Sequence, residues 1–473
     1  MKRNLFYLAL LALILFTWYV PPRDPDFGWH FKYGEHLFKT GHLLKENIFS
    51  YNFAEYKWAN SYWLSQLYFY VTYTFLTPIG MGLLTSVIGG ICLIFLIKVA
   101  KLSRFETFFY CLSLAVMGGS FLLTVRPMFF STLFLMLVFV ILNYKPKWEK
   151  FLPLIFMVWA NTHADFTLGL FMYGLFSIQR IIEKFRKERI SFKWLASTCL
   201  LPLTSVFATL INPYGIDLWK TLLKETHPAQ FNWIREWLPI ETSINSSIFV
   251  PFIISSGTFF VYLSQKRDLS KLWIYIASTV FILLSIRSAY FIRHTMLITN
   301  LFALAIWDES YNKVIEFIGP DGRKKLVQAG KLIGVVVSVC LLVHFARNVY
   351  LSSSTRSWSI KASYPYEAVQ FIKSSPPEGN MFNNYAWGGY LIWQLPEYKT
   401  FIDGRMASWE KDGKRMLTIY KDIFDKPESN YDRPEFAEVA WVVVPTKSKL
   451  AGYLKEKGWQ IRYEDNIAVV AFR

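Results

Sequence analysis

Residues 21–41 read PPRDPDFGWHFKYGEHLFKTG, and they follow directly on an apolar run, LFYLALLALILFTWYV, at 5–20. A run of that kind can enter a bilayer, where about 20 apolar residues make one helical crossing. The chain then turns acidic and aromatic, with Asp24 and Asp26 within a turn or so of the end of the apolar run. Phe27, Phe31 and Phe38 recur near one helical face, Lys32, Glu35 and Lys39 lie elsewhere, and Gly41 stands as a stop. The pattern predicts an amphipathic helix from 27 to 41, lying on a membrane surface. Asp26 at its head is either a helix cap, for which aspartate is favoured, or a reacting carboxylate held at the bilayer surface. Asp24, which precedes a proline, reads as a solvated turn residue or as a second member of the same acidic pair.

Composition supports the membrane reading. Of 473 residues 53% are hydrophobic and 18% charged, against about 25% charged in an ordinary soluble domain. The charges are confined to clusters between long uncharged stretches. Runs near 4–20, 79–100, 105–125, 127–143, 151–164, 166–183, 194–212, 246–264, 272–287, 289–306 and 331–348 make about eleven candidate spans. MKR precedes the first run and no small-residue cleavage site follows it, so it reads as a retained signal anchor. The stretch at 62–76 is short, ends at TPIG, and reads as a helix lying at or dipping into the interface.

Every alternate loop is basic: Lys98, Lys101 and Arg104; Lys145, Lys147 and Lys150; Arg180 to Lys193; Lys266 to Lys271; Lys313 to Lys331. By the positive-inside rule these loops are cytoplasmic. The formal charge of +17 is then mostly a topology signal, with no nucleic-acid footprint. The opposite, extracytoplasmic side receives 21–78, the turn at Arg126, the WANTHAD turn at 159–165, 213–245, the corner at 287–294 and the chain after 349. Residues 351–473 change character, with short β-type runs alternating with helical patterns, and read as a soluble α/β domain following a transmembrane part at 1–350. Cys92, Cys111, Cys199 and Cys340 lie in apolar runs and read as buried small hydrophobes.

The acidic pair, the aromatic loop and four short motifs carry a resemblance. DPDFGWH at 24–30, WANTH at 159–163, NPYG at 212–215 and WGGYLIWQLPEYKTFIDGR at 387–405 occur in the order found in a set of bacterial integral-membrane proteins. Together they resemble the GT-C fold glycosyltransferases, whose relatives include the protein O-mannosyltransferases and the lipid A aminoarabinose transferases. Gly28 departs from the motif, which has tryptophan there. The spacing from Asp26 to Gly41 is similar to that of the helix which, in the aminoarabinose transferases, opens with an acid and closes with a glycine.

The resemblance implies a polytopic α-helical enzyme that takes a sugar from a polyprenyl-phosphate-linked donor on the outer leaflet. Such a reaction needs a base for the acceptor hydroxyl and cations for the phosphate. Asp26 is the expected base and Asp24 its neighbour. Arg126, Arg293 and His294, all at outer-face corners, are the expected phosphate ligands, since arginines in a membrane are costly and usually have a function or a partner; snorkelling is their bland alternative. Trp29, His30, Asn161, His163, Asn212, Trp387 and Arg405 are expected to contact substrate. Asp24-Pro25-Asp26 also has the shape of a divalent-metal motif, which leaves Mg or Mn open as a cofactor, whereas His30, His36 and His42 do not share a helix face. The expected partners are the lipid-linked donor, a glycan, lipid or protein acceptor, and membrane lipids. A flippase for a lipid-linked sugar is disfavoured because the span interiors are almost free of charge; an inactive glycan-binding scaffold is the third reading.

Overall fold

The computed structural model describes residues 24–103, 125–225, 234–240, 246–265, 268–354 and 363–473, with isolated positions between them. The expected spans at 4–20 and 105–125 lie almost wholly outside the described residues. Two compact units emerge. One holds residues 1–20, 82–215 and 231–349; the other holds 21–81, 216–230 and 350–473.

The first unit is helical. Met128–Tyr144, Leu152–Ala160, Phe166–Lys187, Phe192–Ala208, Ser246–Gln265 and Leu272–Arg287 follow the expected runs closely. Phe166–Lys187 lies at their centre and packs against Met128–Tyr144, Phe192–Ala208 and Leu272–Arg287. Leu152–Ala160 has only 9 residues, about 14 Å of helix, too short to cross a bilayer alone. Phe156 stacks on Trp159 and on Tyr173, at 5.9 and 6.4 Å between ring centroids, which fills the space between the short helix and its neighbour. Ile178, Phe185, Leu200, Leu203 and Phe207 point outward and exposed, a surface that water disfavours and lipid accepts. Trp63–Ala100 and Leu269–Arg287 are long and apolar enough to cross a membrane. The first of these is interrupted at Thr77 (φ 63°, ψ 170°), just before Pro78, so the expected break at TPIG is a real kink. Ile292–Ser352 is broken in the same way at Gly319, before Pro320. Cys340, expected to be buried, is exposed.

The second unit is mixed. Its sheet runs in the order Asn380–Asn383, Val439–Pro445, Ala468–Phe472, Gln460–Glu464. The first pair is parallel and the other two antiparallel. The run AWVVVP is buried along the middle of the sheet, where β-branched residues fit a pleated surface covered on both faces. The sequence reading grouped 21–78 with the transmembrane part, but the structure places that loop in this unit. Asn52 Nδ2 donates to the Phe401 carbonyl at 3.1 Å, Tyr51 to the Met381 carbonyl at 3.1 Å, and the Thr400 amide to the Phe49 carbonyl at 2.9 Å. The Met381 and Phe401 carbonyls need partners once buried, and the N-terminal loop supplies them.

Candidate functional site

In the mixed unit, the helix predicted from 27 runs over Phe27–Thr40 and ends at Gly41, whose φ of 71° is the left-handed conformation that glycine adopts freely. Its first two turns are enclosed rather than laid on a surface: Phe27, Trp29, His30, Phe31 and Tyr33 are all buried. Phe27 and Phe31, expected to face lipid, meet Trp393 at 5.6 and 5.8 Å instead; Phe38 in the last turns remains exposed.

The head of this helix is built on glycine contacts. A Cβ on Gly28 would come within 1.9 Å of the Gly389 carbonyl oxygen, and one on Gly389 within 2.2 Å of the Pro25 carbonyl oxygen. The backbones of DPDFGWH and WGGYL therefore touch. This accounts for Gly28, the position where the motif departs from tryptophan, because no side chain fits there. On the other side, a Cβ on Gly404 would lie 1.9 Å from Asp26 Oδ1. One distant stretch, 387–405, thus meets the acidic motif twice, against the backbone around Gly28 and against the Asp26 carboxylate.

Asp26 sits at the N-cap position, yet its side chain makes no capping bond to the helix. Its Oδ1 accepts from the Trp29 indole N–H at 2.9 Å, and its own amide donates to Asp24 Oδ1 at 3.0 Å. A bond between an ionised acceptor and a neutral donor is one of the stronger kinds; it fixes the carboxylate's direction. The Trp29 ring lies tilted against His30, with centroids 3.5 Å apart, and His30 Nδ1 meets Gln66 Nε2 at 3.3 Å. Gln66, which the sequence did not single out, is held in turn by Asn60 at 2.7 Å.

Arg405 and Trp387, expected to contact substrate, are occupied internally. Arg405 forms a forked pair with Asp403 (2.7 Å for both bonds), donates to Tyr33 Oη at 2.9 Å and to Asn47 Oδ1 at 3.1 Å, and is buried. Burial works against its charge, but Asp403 beside it more than offsets this and raises its pKa above the ordinary value. The Trp387 indole donates to the Ser363 carbonyl at 3.1 Å within the core beneath the sheet. The DGR motif is therefore a clasp: it holds the loop carrying Gly404 against the helix carrying Asp26.

The helical unit gathers the other expected residues. Asn161 donates to the Ile211 carbonyl at 2.9 Å, and Asn212 closes its own turn on Tyr214 and Gly215. WANTH and NPYG are thus neighbours, with both asparagines fixing backbone. His163 Nδ1 lies 2.8 Å from Ser131 Oγ and 3.3 Å from Asp165 Oδ2. His294 Nε2 lies 3.2 Å from the same oxygen. The other Asp165 oxygen accepts from Tyr290 Oη at 2.7 Å. Tyr290 carries Arg293, whose Nε donates to the Tyr290 carbonyl at 3.2 Å while the guanidinium lies 5.1 Å over the tyrosine ring. Tyr290 also stacks flat on Trp237, 4.4 Å away at an angle of 8°.

Beside Trp237, Glu236 forms a forked pair with Arg126, at 2.7 and 3.5 Å. Partial burial pushes the Glu236 carboxyl up, but Arg126 first, then Arg293 and His163, pull it below the usual glutamate value. Arg126, Arg293 and His163 thus all act on the Glu236 carboxylate. The two acids, Asp165 and Glu236, were not predicted. Asp165 could have been found from its place two residues after His163; Glu236, in IREW, carried no signal.

Among the described residues no group of three or more His, Cys, Asp or Glu forms a site for a metal ion. Asp24 and Asp26 offer two carboxylates already engaged with a backbone amide and an indole, and they do not by themselves form a closed ligand set.

A helical unit exposing apolar side chains and a mixed sheet unit with an acid-headed helix make up a chain whose solved structural neighbours are GT-C fold membrane glycosyltransferases. No protein-family model and no curated protein matches this chain by sequence. Solved structures do match it. The archaeal oligosaccharyltransferase AglB of Archaeoglobus fulgidus, in complex with an inhibitory peptide and a dolichol-phosphate, aligns over 94% of this chain and 70% of its own, at TM-score 0.56 and 8% identity. ArnT of Cupriavidus metallidurans in the apo state aligns over 99% of this chain and 97% of its own, at TM-score 0.55 and 14% identity. The same protein bound to undecaprenyl phosphate gives TM-score 0.53 and 13% identity. Likeness at such low identity speaks for the fold.

Proposed function

We propose that this protein is a glycosyltransferase that moves a sugar from a polyprenyl-phosphate-linked donor to an acceptor hydroxyl on a glycan, lipid or protein. We further place the reaction on the extracytoplasmic face of a bacterial plasma membrane, where the basic-loop alternation puts both Asp26 and residues 351–473. The observation that carries the reading is Asp26: it heads a helix without capping it, and Trp29 and Gly404 fix its carboxylate.

In this reading the acceptor oxygen attacks the anomeric carbon while its proton passes to the Asp26 carboxylate. The bond between the anomeric carbon and the phosphate oxygen breaks, and polyprenyl phosphate leaves with the electron pair. Arg126 and Arg293 carry the growing negative charge on that phosphate, and planar guanidinium groups suit it better than ammonium. Asp165, through Tyr290, positions Arg293. The GT-C structures that match this chain include one with dolichol-phosphate and one with undecaprenyl phosphate, which supports a lipid phosphate as the leaving group.

The test is donor turnover by purified protein given undecaprenyl-phosphate-linked sugars. Asp26→Asn keeps the carbonyl that the Trp29 indole needs but cannot take up a proton, so the protein stays folded while turnover falls by about 10²–10⁴-fold. Asp24→Asn gives a smaller loss. Unchanged turnover in Asp26→Asn would remove it as the base. A donor that crosses the membrane chemically intact would identify a flippase.

A further inference from the structure

The Arg126 fork is already filled by an acid of the chain itself. Glu236 presents both carboxylate oxygens to the two terminal nitrogens of Arg126, in the parallel geometry by which arginine also grips a phosphate. The same carboxylate also feels the Arg293 guanidinium. It therefore stands where a phosphate gripped by Arg126 would have to sit. Its backbone is pinned: Ser288 Oγ donates to the Glu236 carbonyl at 3.4 Å, the Ala289 amide to the Leu238 carbonyl at 3.0 Å, and Trp237 is stacked on Tyr290. The side chain, by contrast, is only partly buried, so a change of rotamer can withdraw the carboxylate without moving the turn that carries it.

We propose that Glu236 is a built-in stand-in for a phosphate ester. It neutralises Arg126 when no lipid phosphate is bound, and yields the fork when one arrives. The proposal rests on the reading of Arg126 and Arg293 as phosphate ligands and adds a competitor to them. A phosphate must outbid an internal carboxylate, so a weaker anion is refused and the affinity for the leaving polyprenyl phosphate is held down, which favours its release.

The experiment measures equilibrium binding to the full-length protein in phosphatidylcholine nanodiscs, with undecaprenyl phosphate in one arm and phosphatidylglycerol in the other. Glu236→Gln keeps the shape and loses the charge. It should bind undecaprenyl phosphate about tenfold tighter than the wild type, equivalent to about 1.4 kcal/mol, and Arg126→Ala should bind it more weakly. If Glu236→Gln does not insert, Glu236→Asp draws the carboxylate back by one methylene and should tighten binding in the same direction. Unchanged or weaker binding in these variants, with the wild type still binding, overturns the stand-in and leaves Glu236 as a prop for Arg126. Absence of binding in every form overturns the phosphate reading itself and the stand-in with it. An equal gain for phosphatidylglycerol supports the stand-in but overturns the polyprenyl assignment, making the ligand a bilayer headgroup.

Discussion

Replacing Gly404 by alanine would place a methyl carbon 1.9 Å from Asp26 Oδ1. Real Cβ atoms keep at least 3.0 Å from such a neighbour, so the carboxylate must retreat by at least 1.1 Å, the difference between these two distances. Oδ1 is also the acceptor of the Trp29 indole bond at 2.9 Å. A displacement of that size cannot keep both the length and the angle of that bond, and its loss costs about 1.5–3 kcal/mol for a bond to a charged group. The assay is a double-mutant cycle on unfolding free energy in detergent, with Gly404→Ala made in the wild type and in Asp26→Ala. The clash vanishes when the carboxylate is absent, so the two changes should couple by about 1.5–3 kcal/mol. Turnover should fall beyond the loss of stability, because displacing a catalytic group by about 1 Å can cost on the order of 10²-fold. Equal penalties in both backgrounds would refute the placement of Asp26 against Gly404, and with it the picture of a carboxylate held from two sides.

Gly28→Ala opposes a methyl group to the Gly389 carbonyl; backbone cannot swing away as a side chain can, so about 3 kcal/mol or more is expected to be lost, measured by the same unfolding assay. Reporter fusions after Lys187 and after Gly458 should report opposite sides of the membrane, following the basic-loop alternation; the same side for both would take Asp26 away from the outer leaflet.

Much of the helix that carries Asp26 was legible. Asp26 and Gly41 marked its ends because a turn residue and a left-handed glycine are local requirements, satisfied by neighbouring backbone alone. The break at TPIG was visible for the same reason, since proline cannot continue the helix behind it. Long-range closures were not legible. Nothing near Gly28 announces that Gly389 will lie against it, and Arg405 in DGR looks like a ligand for substrate until Asp403, Tyr33 and Asn47 are seen to use its donors. Phe27 and Phe31 have the right spacing for a lipid-facing stripe, but a helical stripe does not say what covers it. Here Trp393 does. Asp165 and Glu236 were missed because an acid becomes an organiser only through cations brought to it from other helices.

The clasp between Arg405 and the Tyr33 and Asn47 side chains joins positions separated by 372 and 358 residues. The Gly28 and Gly389 backbones meet across a comparable stretch of chain. A polypeptide emerging from the ribosome has Asp26 early and its enclosure last, since every intervening helix must be made before Gly404 and Arg405 exist. Domains of a growing chain tend to fold as they appear, N-terminal parts first, but this one cannot complete its first loop that way. Its acid lacks this enclosure throughout synthesis, and if Asp26 is the base we propose, the catalytic geometry is a late event of biogenesis. On that proposal, a chain truncated anywhere before the DGR motif would be inert however well its helices had inserted.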